Sequence, residues 1–77
     1  MTIMEKSKIE KEYYELARNW KTDFVMSQFR LMWDCQRELE SELHRNGFDV
    51  AFIARQVEFY RLRRSALVKV LKERGVC

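Results

Sequence analysis

The sequence predicts an all-α fold, and three observations carry that expectation. Apolar residues recur at steps of three and four along nearly the whole chain, the spacing that collects them on one face of a helix. There is no proline, and the only glycines are Gly47 and Gly75. A many-turned β fold needs more breakers than that. Hydrophobic residues make up 47% of the 77, too many for a disordered tail. One domain covers residues 1–77, and a chain this short buries only roughly 60% of its unfolded surface. Good helix packing or oligomerisation must supply the rest.

Taken in order, Met1 and Thr2 are expected to fray, and a helix starts near Met4. Ile9, Tyr13, Leu16, Trp20 and Phe24 form its apolar stripe. Near Thr22 the stripe changes side, to Val25, Phe29, Met32, Leu39 and Leu43. Two readings compete. Either one unbroken helix carries both stripes, or a break at Thr22 or Asp23 starts a new helix, since both residues cap well. Nothing in the sequence forces the break, so the unbroken helix is preferred. From Met4 to Arg45 it would be roughly 60 Å long. Phe24 to Cys35 is apolar in almost every direction, the mark of a buried helix.

Gly47 suits a C-terminal cap, with His44 and Arg45 complementing the helix dipole. Asp49 then caps a last helix that runs to Arg74. A turn this short, at Asn46-Gly47, predicts an antiparallel helical hairpin. The last helix carries two stripes. Val50, Ile53, Val57, Tyr60, Leu67 and Leu71 make one; Phe52, Phe59, Leu62, Ala66 and Val70 make the other. Two stripes call for two neighbours. This helix is therefore the predicted hub, ending at a Gly75 cap with Val76 and Cys77 loose.

The apolar stripe from Ile9 to Phe24 would overhang a hairpin and needs cover. A homodimer whose helices pack as a bundle provides it; a monomeric three-helix bundle is the alternative.

The net charge of +3 is uneven. Residues 25–54 hold three basic and five acidic groups, and residues 55–77 seven basic and two acidic. The basic last helix is expected to complement the acidic middle of the same chain or dimer. Nucleic acid is the competing partner, with Arg55, Arg61, Arg63, Lys69, Lys72 and Arg74 as candidate phosphate contacts. Those charges do not gather on one face, as a groove-reading helix requires. Arg64 falls inside an apolar stripe, where its stem would lie on the core or its head meet an acidic residue.

No catalytic constellation is present: no glycine-rich phosphate loop, no His-Glu-x-x-His, no nucleophile elbow. Glu38, Glu40 and Glu42 splay around a helix at steps of two. Cys35 and Cys77 suit free thiols in a reducing compartment, and the lone His44 has no metal-ligand spacing. No cofactor, metal, membrane span or signal peptide is expected. The reading is a non-enzymatic, cytoplasmic (nuclear, in a eukaryote) regulator or adaptor. It acts by protein–protein contact, with itself and with another protein, and a small nucleic-acid-binding regulator is the alternative. Two Trp, three Tyr and five Phe exceed what one small core hides easily. Trp20, Met26, Phe29, Trp33, Phe52, Phe59 and Leu62 are the candidate interface residues.

Overall fold

The computed structural model describes residues 2–45 and 50–76. They form α1 (Ile3–Ala17), α2 (Thr22–Arg45) and α3 (Val50–Glu73), with no strand among the described residues.

α1 starts one residue earlier than expected, and Thr2 does not fray. Its hydroxyl accepts from the Glu5 backbone N–H at 3.2 Å, with Thr2 itself extended at φ −78° and ψ 164°. That is an N-cap, satisfying one of the helix's orphan donors.

The preferred long first helix is overturned. The chain leaves helical geometry after Ala17 and re-enters it at Thr22. The reason is tertiary. Trp20 sits in the connection and packs edge-on against Tyr13 (centroids 5.7 Å, 88°) and Phe24 (4.8 Å, 89°). Such aromatic pairs contribute about 0.5–1.5 kcal/mol each beyond area burial. The Arg74 guanidinium, from the end of α3, donates to the Arg18 carbonyl at 3.0 Å and to the Thr22 hydroxyl at 3.1 Å. Thr22 thus accepts a hydrogen bond from α3, and the first α2 backbone bond runs from Val25 N–H to the Lys21 carbonyl at 3.0 Å.

α3 is the hub. α1 and α2 each pack on it and touch one another little. Its polar contacts show which stripe meets which neighbour. Lys6–Glu58 (3.3 Å), Lys69–Glu10 (2.6 Å), Ser65–Glu10 (3.2 Å) and a Tyr14–Glu73 hydrogen bond tie it to α1, rising in step along both helices. They flank Leu62 and Ala66 of the second stripe. On the other side the Arg64 guanidinium lies 4.0 Å over the Trp33 ring, while Arg74 reaches Thr22. Residue number therefore falls along α2 as it rises along α3, and the first stripe meets α2. The turn between them, with the proposed caps at Gly47 and Asp49, lies outside the described residues.

The core joins all three helices. Ala17, Val25, Met32, Leu67, Val70 and Leu71 are buried together, and Tyr13, Tyr14, Trp20, Phe29 and Tyr60 close over them. Leu16, expected on the α1 stripe, is 53% exposed, and fully buried Ala17 takes its place in the core. The corner after Ala17 turns the core-facing side of α1 by one residue. Buried Gln36 bonds Glu40 through its amide nitrogen at 2.9 Å, while its carbonyl has no partner among the described residues. An orphaned buried acceptor costs about 1–3 kcal/mol.

α3 ends as expected at Gly75, whose φ is +73°. Gly75 N–H bonds the Lys72 carbonyl (3.1 Å) and Val76 N–H the Leu71 carbonyl (3.0 Å). These two bonds are the paired closure of a Schellman cap, so Val76 is tied down, not loose.

Candidate protein-binding surface

The segment expected to be buried all round is buried on one side only. Val25 and Met32 face the core, whereas Phe24 (47%), Met26 (45%), Leu31 (50%) and Trp33 (41%) are exposed. The cause is the packing order. Among the described residues α2 rests mainly on α3, because α1 packs on the opposite flank of α3 and meets α2 only near their shared corner. In a closed three-helix bundle a second neighbour would cover that surface.

Met26, Leu31 and Trp33, though not Phe24, line an open groove of about 850 Å³ between the N-terminal half of α2 and the end of α3. Its apolar wall is Met26, Phe29, Leu31, Trp33, Leu71 and Val76. The Schellman cap holds Val76 at one end, and the Arg64 guanidinium props the indole of Trp33 from the α3 side. Burial lowers the Arg64 pKa, and the nearby Glu40 carboxylate opposes the shift. Asp23, Arg30 and Asp34 form the polar rim. A second groove of about 580 Å³, between α1 and α3, is lined by Glu5, Lys8, Ile9, Glu12, Arg55 and Phe59, and is mostly charged.

The other candidate interface residues are scattered. Trp20 is half-buried at the corner between α1 and α2. Leu62 is buried within its own chain, Phe59 borders the charged groove, and Phe52 is 57% exposed near the start of α3. Only Met26, Phe29 and Trp33 come together. Sequence reasoning missed Leu71 and Val76, because their place in the groove depends on where the end of α3 meets α2.

The candidate phosphate contacts do not form a patch. Arg61 pairs with Glu58 at 3.8 Å, Lys69 with Glu10, Arg63 lies over the Tyr13 ring at 5.6 Å, and Arg74 holds the α1–α2 corner. Arg55 and Lys72 are exposed at opposite ends of α3. The expected match between the basic helix and the acidic middle takes a different form. Among the described residues, the ion partners of α3 are its own Glu58 and the Glu10 and Lys6 of α1, and from α2 Glu40 bears on it, through Arg64. Among the described residues no cluster could hold a metal ion, and no helix is long and apolar enough to cross a membrane.

The α1–α3 seam has a pH signature. The hydrogen bond to Glu73 raises the Tyr14 pKa above its ordinary 10.0, and burial raises that of Tyr13, partly offset by Arg63. The folded state holds both protons more tightly than the unfolded chain. Their contribution is therefore complete below pH 10 and is lost as pH rises through the raised values. Melting temperature is expected to fall above about pH 10, and to fall less steeply in a Tyr13→Phe, Tyr14→Phe variant. Equal slopes from pH 8 to 11 would show that the two hydroxyls do not couple to folding.

Comparison with protein families, with curated proteins and with solved structures gives no match. The functional reading therefore rests on the surface itself.

Proposed function

We propose that the protein is a non-enzymatic adaptor that works by protein–protein contact, with the α2–α3 groove as its binding surface. The observation that carries this is the exposure of Met26 and Trp33 on one flank of α2, beside half-buried Phe29, on a helix packed on one side only. A contiguous apolar patch with a polar rim marks an interaction site. Trp and Met are over-represented at such sites, because a rigid indole and an adaptable thioether bury much area at low entropic cost. An open groove along a helix fits the apolar face of another helix.

Surface area supports the reading. The chain exposes 5790 Å². A compact monomer of its 9.5 kDa mass exposes about 5,000 Å². The helices thus leave more surface open than a compact monomer of that mass.

Trp33→Asp tests the proposal. Light scattering at micromolar concentration is expected to give an associated wild type and a monomeric variant of unchanged helicity, with association weakened at least about 30-fold. A wild type that stays strictly monomeric sinks self-association. Binding to duplex DNA or single-stranded RNA that falls steeply with salt would favour the alternative of a nucleic-acid-binding regulator. The dispersed and internally engaged basic side chains of α3 argue against that outcome.

A further inference from the structure

The charged rim of the groove specifies an occupant. Asp23, Met26, Arg30, Trp33 and Arg37 follow one another on α2 at steps of three, four, three and four, and all five are exposed. That spacing places them along one exposed stripe of the helix. The ion pairs found among the described residues lie on α1 and α3, and none involves Asp23, Arg30, Asp34 or Arg37. Among the described residues, α2 therefore offers a charged seam without ion-pair partners.

The order of that seam is self-complementary when reversed. It reads acid, apolar, base, apolar, base, centred on Arg30. We infer that the groove receives α2 of a second copy, antiparallel, about a two-fold axis close to Arg30. Asp23 of each copy then faces Arg37 of the other, and Met26 faces Trp33. The two Arg30 side chains meet near the axis, each within reach of the Asp34 carboxylate across it. A parallel pairing would set Asp23 against Asp23 and Arg37 against Arg37, so charge selects the antiparallel one. Such an interface presents the same patch on both subunits and closes as a dimer. It would cover the exposed Met26 and Trp33 flank of α2. The inference rests on the proposed protein–protein role and names its first partner and geometry.

Charge reversal tests it. Asp23→Arg sets like charges opposite at two symmetric positions, as does Arg37→Asp. Each single variant is expected to weaken self-association roughly 10- to 30-fold, taking exposed pairs at up to about 1 kcal/mol each. The double variant Asp23→Arg, Arg37→Asp restores both pairs and should return to within a few-fold of wild type. Mixing the two single variants should yield a heterodimer. Circular dichroism checks folding, and because both positions are exposed the helices should survive. A dimeric wild type whose single variants associate normally, or whose double variant is no better than the singles, overturns the antiparallel seam and leaves the groove's role standing. A monomeric wild type overturns the seam and self-association together, while the groove's role toward a different protein is tested separately.

Discussion

Leu67→Ala is expected to lower stability by about 3 kcal/mol, the largest effect of any single truncation here. Leu67 is fully buried on the hub helix, in the one cluster that contains Ala17 of α1 and Val25 and Met32 of α2. Removing its side chain loses transfer energy and leaves a cavity between rigid helices that cannot all move inward. Stability in a domain of this size is roughly 0.05–0.15 kcal/mol per residue, so the loss is a large share of the total. Chemical denaturation should show the midpoint falling with an unchanged slope. In heat, each kcal/mol corresponds to about 4–8 °C for a domain of this length. A change under 1 kcal/mol would mean that the three helices are not consolidated by this cluster. Leu67→Met, which keeps the volume, should cost less than about 1.5 kcal/mol.

Ala66→Phe is expected to cost about 2 kcal/mol or more, by the opposite mechanism. Ala66 is fully buried, beside the Ser65 and Lys69 that reach Glu10. Its small side chain lets α1 approach, and the only fully buried residue of α1 is also an alanine, Ala17. An added ring has nowhere to go without pushing the helices apart. α1 has the weaker hold, since its cross-helix ties are exposed or half-exposed pairs worth at most about 1 kcal/mol each. The strain should therefore appear as release of α1. Amide exchange is expected to speed up over residues 3–17 while α2 and α3 keep their protection. Uniform loss of protection would show that α1 and the α2–α3 pair unfold as one unit. Since the groove lies on the far flank of α3, self-association should persist in this variant, whereas Trp33→Asp should abolish it with stability little changed.

How much of this was legible in the sequence differs from element to element. The helical class, the two-sided character of α3 and the Gly75 cap follow from local rules: period, absence of proline, and a glycine where the left-handed conformation is needed. Each is written in neighbouring residues. The Thr22 region was ambiguous because its propensities allow both a helix and a break. Arg74, more than 50 positions away, decides it by bonding the Arg18 carbonyl and the Thr22 hydroxyl. Leu16 and Ala17 illustrate the same limit on a smaller scale, for periodicity marks an apolar face only to within a residue.

The site follows the same division. Trp33 and Met26 stand out in the sequence because they stray from the main stripes, and Phe29 because it sits in a nearly all-apolar segment. That pattern fits either a buried central helix or a docking surface, and sequence alone does not separate them. The sequence by itself determined the helices, their apolar faces and the surplus of aromatic residues, because these depend on side-chain spacing along one strand of chain. Only the tertiary structure decided that α1 packs on the far side of α3. With that flank taken, one side of α2 has no neighbour among the described residues, and residues that could have been core become the exposed wall of a groove.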